Sequence, residues 1–431
     1  MTQGDPDTRK VIKDQSIERK AKPMMTRRTI TISVVLLGVS IVYATLQSRA
    51  GNITLPPQSV LLDPNSFAVL PDDFTFRTDA FNQRFDPTNS QDQLPIIQIF
   101  NQAFLDILGP TPSISEIASN STFAFAHEAP VYVSETDELF FASNDGGPLG
   151  MSDINHNNVY FKMSLTDAER MLRESGDDRT VNVPITKVPL PDSMQMTNGA
   201  TGPFKGNLFL VNAGRGPIPP TLAMVNSNPP HNATVILNSY YGRQFNSLND
   251  IKIHPQSGNI FFTDNFHGSF KKFRGPPVIP NHVYRFDLET RAVRVVADGM
   301  FKPNGIAFTA DGKTAYVGDS GASSGGSPTD PSTIYAFDVD PKTQTFLNRR
   351  VLAYIDAGIP DGIQLDTNGN IYTSTADGVQ VFAPDGTLLG KFFNDIRSAS
   401  LVFAGPGRLV ILAETKVYLA KIAPTTKGVV S

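Results

Sequence analysis

The 431-residue chain contains no cysteine. Disulfides, thiolate metal sites and cysteine nucleophiles are therefore excluded. Excess charge is also scarce: 37 Lys and Arg stand against 41 Asp and Glu, a formal net charge of −4. That small figure hides a division. Residues 1–28 hold eight basic and four acidic side chains (+4), which leaves 37 − 8 = 29 basic and 41 − 4 = 37 acidic residues (−8) for the remainder. An acidic body argues against a nucleic-acid partner and suits a cation.

Long uncharged stretches are few; the one that stands out is Thr29–Leu46, TITISVVLLGVSIVYATL, directly after Arg27-Arg28. The head before it, residues 1–28, is polar and is expected to be disordered. The run, within a segment 29–50, supports two readings. It is the apolar part of a cleaved signal peptide ending near Ser48-Arg49-Ala50, with Met24 or Met25 as a start that gives a short basic lead. Or it is a single-pass anchor over 29–48, near the lower end of the roughly 17–25 residues that span a bilayer, with the basic flank keeping the head cytosolic. Both deliver the rest of the chain to the secretory pathway, as an extracellular protein or as a membrane-tethered one. Sequons at Asn52, Asn120 and Asn232 agree with that route.

What the chain does have is a repeat. In Ser247–Asp264, SLNDIKIHPQSGNIFFTD, a polar pair opens an alternating strand, a turn follows, and a second strand rich in β-branched and aromatic residues closes the unit. The offset from the opening polar residue to the second strand is 11 for Glu128–Leu139, Asn249–Ile260 and Asn304–Ala315, and 10 for Asp361–Ile371. Asn198–Leu208 is a looser copy at 10, and Ser398–Leu409 a sixth at 11. Six strand-turn-strand units imply an all-β fold, a six-bladed β-propeller over 123–424. Residues 51–122 lack the repeat and are broken by Pro56-Pro57 and Pro71. They are expected to form a strap packed on the propeller, its first strand being a candidate to close the ring. Pro95–Leu108 reads as a short helix, and so does LTDAERMLRES within the insertion 155–192.

In a propeller the first strand of each blade lines the channel, so residues at one offset lie at one height. Glu128, Asn249, Asn304 and Asp361 then face each other: two carboxylates and two amide oxygens. An all-oxygen set suits a hard cation, Ca²⁺ above others, with another divalent ion as the alternative; it lacks the His and Cys ligands zinc prefers. Taken singly, Asn304-Gly305 and Asp361-Gly362 also fit type I′ hairpin turns, and Asn249-Asp250 an Asx turn. The shared offset favours the ring. Strand alternation predicts that His127 turns away from the channel, and both His127 and His267 read more readily as surface or loop histidines than as bases.

The units HEAPVYV, SLNDIKIHPQSGNIFFTD, KPNGIAF and IPDGIQLD resemble those of the gluconolactonase and senescence-marker-protein (regucalcin-like) family, and more specifically fungal lactonohydrolases. The resemblance spans about residues 123–412. It implies a six-bladed propeller holding one divalent cation and hydrolysing small, sugar-type lactones. It also implies that Glu128, Asn304 and Asp361 are the principal metal ligands, that Asn249 serves metal and substrate, and that Asp250 assists. This chain carries Ser247 where many members carry Arg, which makes Ser247 a substrate-side position along with Asn198 and His267. Asp361 is the first choice for activating the attacking water, with Asp250 beside it. Other classes remain on the same architecture: a calcium-stabilised binding propeller without catalysis, a strictosidine-synthase-like enzyme, and phosphotriester cleavage.

The targeting reading makes one prediction. Expressed in a eukaryotic host, the protein should enter the secretory pathway and shift in mobility on deglycosylation; a cytosolic, unshifted product refutes it.

Overall fold

The repeated apolar and aromatic runs fold as short antiparallel strands, and glycine, Asn and Asp mark the turns between them. In this computed structural model the described residues are 54–63, 68–69, 95–176, 179–327 and 329–429. The uncharged run 29–46, the head before it and Asn52 lie outside them. Among the described residues no helix is long and apolar enough to cross a membrane.

Six sheets form the blades. Their inner strands are Glu128–Val133, Thr197–Phe204, Leu248–Ile253, Pro303–Phe308, Ile363–Leu365 and Ser400–Phe403. Each packs on the next and the last packs on the first, so they close a ring around the axis. The sixth blade takes its outer strand from the N-terminal side: Ser113–Ser119 pairs antiparallel with Lys416–Lys421. Closure thus falls to the third strand of the N-terminal segment, not the first. The first two widen the fifth blade instead, where Ile96–Ile99 pairs with Leu388–Phe393 and Ser59–Leu61 runs parallel to it. Pro95–Leu108 is only partly helical. Its β-branched start is that strand, and the helix is confined to Phe104–Leu108. The insertion's helix runs over Leu165–Ser175, capped by Ser164 accepting from the amide of Asp167 and ended by left-handed Gly176.

Apolar faces meet between blades. Phe261 and Phe308 sit 4.9 Å apart, centroid to centroid, between the third and fourth. Phe104, Tyr372, Phe392, Leu401 and Ile411 fill the space between the fifth and sixth.

A bulge recurs at the head of the inner strands. Register shifts between Glu128 and Val131, Thr197 and Ala200, Leu248 and Ile251, and Pro303 and Ile306. Each bulge leaves two residues unpaired and turns a side chain out of the sheet's alternation. The Asn-Gly and Asp-Gly pairs are therefore not hairpin turns, and Gly199, Gly305 and Gly362 are not left-handed. Their glycines answer to crowding. A Cβ at Gly305 would lie 2.2 Å from the carbonyl oxygen of Asp361, and one at Gly199 would lie 2.5 Å from that of Asn249.

Gly305→Ala should accordingly destabilise the fold by about 1–3 kcal/mol through forced overpacking. Gly275→Ala, which meets nothing within 4 Å, should stay within about 0.5 kcal/mol. Denaturant melts of the two variants compare them directly, and equal midpoints would contradict the close-approach argument.

Candidate active site

Inner strands begin where second strands end: Glu128 pairs with Ala142, Leu248 with Asp264 and Pro303 with Asp319. The bulges and the loops after the second strands therefore share one mouth of the channel. Two buried aspartates brace it. Asp264 accepts from the amides of Asn246 and Ser247 at 3.0 and 2.7 Å. Asp319 accepts from those of Phe301 and Lys302, both at 2.8 Å. These bonds fix the linkers that deliver Asn249 and Asn304. Burial, only partly countered by those amides, pushes the Asp264 carboxyl up to about 7.

Glu128, Asn198, Asn249, Asn304 and Asp361 are all buried. Asn304 Nδ2 donates to Asp361 Oδ1 at 2.8 Å. Burial pushes the Glu128 carboxyl well above its usual range, and the charges of Asp361, Asp250 and Asp145 push it further. Those four carboxylates are thus within electrostatic reach of one another. Asn249 Oδ1 and Asn198 Oδ1 are buried without a hydrogen-bond partner. Asp250 is committed to the backbone: its two oxygens accept from the amides of Ile251 (2.8 Å) and Ile306 (2.9 Å), tying the third blade to the fourth. Ser247 supports a neighbouring turn, its hydroxyl accepting from the amide of Gly268 at 3.0 Å.

The histidines depart from expectation. His127 does not turn to the surface: it precedes the strand that opens at Glu128, so strand alternation does not govern it, and Ala126 beside it bridges Glu414. It is buried, with Nδ1 3.0 Å from Glu414 Oε1 and Nε2 3.8 Å from Asp145 Oδ1. His267 is no surface residue either; it is buried, and its Nε2 lies 3.2 Å from Asp145 Oδ1.

Sequence reasoning missed three charged groups here. Asp145 accepts from Asn198 Nδ2 at 2.9 Å. Burial alone would raise its carboxyl, but His267, His127 and Asn198 outweigh that and bring it down to about 2. Glu414 is likewise held at about 2: His127, Arg397 and Asn144 overcome desolvation. Arg397 Nη2 reaches Asp361 Oδ2 at 2.9 Å, and 41% of its side chain stays accessible. The available signal was position. Asp145 and His267 each lie three residues beyond the end of their second strand, at Ala142 and Asp264.

Among the described residues no group of three or more His, Cys, Asp or Glu stands in metal-holding geometry. The candidate set is half amide, and Asp361 is paired with Asn304 and Arg397. Even so, an unpartnered amide oxygen beside crowded, buried carboxylates is the electrostatic environment a hard cation satisfies.

The sequence profile of the SMP-30/gluconolactonase/LRE-like region matches residues 126–414. The chain belongs to this family. It is 31% identical over 370 residues to lactonohydrolase oryL of Aspergillus oryzae, covering 79% of this chain and 77% of that protein. It is 25% identical over 377 residues to lactonohydrolase oryH of the same organism, covering 70% and 74%. A gluconolactonase from Xanthomonas campestris superposes with a TM-score of 0.57 over 76% of this chain and 94% of that one, at 23% identity. The calcium-binding regucalcin of Agrobacterium tumefaciens does so at 0.52, over 73% and 95%, at 14% identity. These two likenesses carry the fold alone. Within this family's propeller, the bulged inner-strand residues lie at the channel mouth.

Acid should expose the His127–Glu414 pairing. The folded-state pKa of Glu414 is depressed, so its contribution is present above the ordinary 4.5 and is lost as pH falls through about 2. Glu414→Gln should be less stable than the parent near neutrality by roughly 2–3 kcal/mol. The gap should narrow as pH drops, and urea melts at several pH values between these limits measure it. A pH-independent gap would contradict the assignment.

Proposed function

We propose that the protein hydrolyses a small lactone at this mouth with the help of a divalent cation, Ca²⁺ before others, held by Glu128, Asn249, Asn304 and Asp361. The observation that carries this is the buried, unpartnered Asn249 Oδ1 on the bulge next to Asp250, one of the carboxylates that crowd Glu128. Membership of the family and the lactonohydrolase relatives support the reaction; a sugar-type substrate is the finer part of the proposal. A cation bound there supplies Lewis acidity for the lactone carbonyl.

The remaining roles belong to the chain. Glu128 and Asp361 provide the negative charge that retains the ion, with Asn249 and Asn304 as neutral oxygen donors. Asn198 Oδ1 is an open acceptor suited to a substrate hydroxyl. Asp250 holds the third and fourth blades at fixed spacing and so positions the two asparagines. Phe266, Phe270 and Phe301 stand beside Lys302, whose Nζ lies 5.9 and 5.0 Å from the first two rings. Such rings exclude water around a reacting ester. The secretory route belongs to the same proposal, and the exposure of Asn120 and Asn232 supports it.

Chelation should abolish hydrolysis of a responsive lactone, and Ca²⁺ should restore it. Asp361→Asn keeps volume and an oxygen donor but removes a charge, so it should weaken cation binding in calorimetry and slow turnover by about 10-fold or more. Cation binding with no turnover across a lactone panel indicates the non-catalytic binding propeller instead. Turnover untouched by both chelation and Asp361→Asn removes the cation from the mechanism.

A further inference from the structure

Hydrolysis of an ester needs a group that takes a proton from water and gives it back to the leaving oxygen. The carboxylates at this mouth are poorly placed for that. The oxygens of Asp361 are engaged by Asn304 and by Arg397. Those of Asp250 are engaged by the amides of Ile251 and Ile306. Glu128 is buried and is committed to the cation in the function proposed above.

One side chain has the required geometry. His267 is buried, and its Nε2 lies 3.2 Å from Asp145 Oδ1. The other oxygen of Asp145 is occupied by Asn198 Nδ2 at 2.9 Å, so the carboxylate is held at both ends. The backbone amide of His267 donates to Asn265 Oδ1 at 2.7 Å, and the ring stands edge-on to Phe273. Donation from Nε2 to Asp145 selects the neutral tautomer whose lone pair is on Nδ1. Among the described residues no hydrogen bond reaches Nδ1. The charged groups facing the imidazole are Asp145, Lys302 and Lys271, with His127 Nε2 3.8 Å from the same Asp145 oxygen.

We infer that His267 and Asp145 form the acid–base dyad of this lactonase, His267 as the catalytic residue and Asp145 as the positioning residue that orients it. The inference rests on the function proposed above. In the first step water forms a bond to the carbonyl carbon while its proton passes to His267 Nδ1. In the second the ring carbon–oxygen bond breaks, and the same proton goes to the departing ring oxygen. The product is the open hydroxy acid, which releases its carboxyl proton to solvent. Asn198, fixed by the same carboxylate, presents its free Oδ1 beside the dyad, so substrate contact and proton transfer share one anchor.

Burial lowers the imidazole's affinity for a proton and Asp145 partly restores it. The neutral base is therefore present near pH 7 and is lost only in acid. In the experiment, wild type, His267→Gln, His267→Ala and Asp145→Asn are assayed on a panel of lactones, with Ca²⁺ affinity measured by calorimetry on each. His267→Gln should lose about 10²–10⁴-fold in kcat, with KM and Ca²⁺ affinity near wild type. Added imidazole should restore part of the activity of His267→Ala. Asp145→Asn should lower kcat and move the acid limb of kcat/KM to lower pH, because the carboxylate that favours the imidazolium is gone; a purely structural role would leave that limb in place. The dyad is overturned if wild type turns over while His267→Gln, with unchanged Ca²⁺ affinity, keeps kcat within about threefold, or if the acid limb of Asp145→Asn does not move. Wild type inactive on every lactone would overturn the functional reading itself, and the dyad with it.

Discussion

The constraint on which the site depends is the close approach of neighbouring blades at the heads of their inner strands. Backbone meets backbone there: Gly305 leaves no room for a Cβ against the Asp361 carbonyl, nor Gly199 against that of Asn249. Such contact fixes the relative height of adjacent blades more tightly than side-chain packing can, since backbone atoms have no rotamers to yield. The bulges then act on this frame. By unpairing two residues in each strand, they free Asn198, Asn249 and Asn304 from sheet alternation at equivalent register positions, while in the first blade Glu128 stays paired with Ala142 just ahead of its bulge. Asp250 bonds the third blade to the amide of Ile306 in the fourth and secures the same junction electrostatically.

A frame that gathers acidic groups must also manage their repulsion. Two environments at the same mouth do this in opposite ways. Glu128 has no close cationic partner strong enough to offset burial, and its carboxyl is pushed up. Asp145 and Glu414 are flanked by His267, His127 and Arg397, and are pulled down to about 2. Divergent behaviour among neighbouring carboxylates is characteristic of working sites, where one set must stay ionised and another must respond to a ligand. Arg397 partly neutralises Asp361, so the charge at the mouth is balanced on one side and in excess on the other.

The repeat was legible because it is a spacing, and spacings survive sequence divergence. A constant 10–11-residue offset gave the blade number and the side chains that head the inner strands. The four units around Glu128, Asn249, Asn304 and Asp361 carried the family resemblance as well. What the spacing could not convey was local departure from regular strand geometry. His127 was misplaced because alternation was extended one residue ahead of the strand that opens at Glu128, into a linker whose Ala126 bridges Glu414. Closure of the ring by Ser113–Ser119 was also hidden, because that strand pairs with a partner some 300 residues away and has no counterpart in the repeat. Arg397 and Glu414 lie in a linker and a tight turn, where no periodicity marks them.

The mouth is unequal around its rim. After their second strands the first, third and fourth blades carry the long loops 143–159, 265–281 and 320–332, whereas the fifth and sixth carry only 376–377 and 414–415. The short side brings Asp361, Arg397 and Glu414 to the mouth almost directly from the sheets. The long side brings His267 and Asp145 together from two different blades, sets Phe273 against the imidazole, and carries Phe266, Phe270 and Phe301 near Lys302. An apolar rim over a charged floor strengthens the electrostatics below it by excluding water. It also divides the labour of the fold. The floor is locked by backbone contacts and cannot vary without disturbing the ring, while the loops vary at little expense to stability. Variation in the loops therefore reshapes the rim, while the asparagines on the bulges and the carboxylates beneath them stay where the backbone holds them.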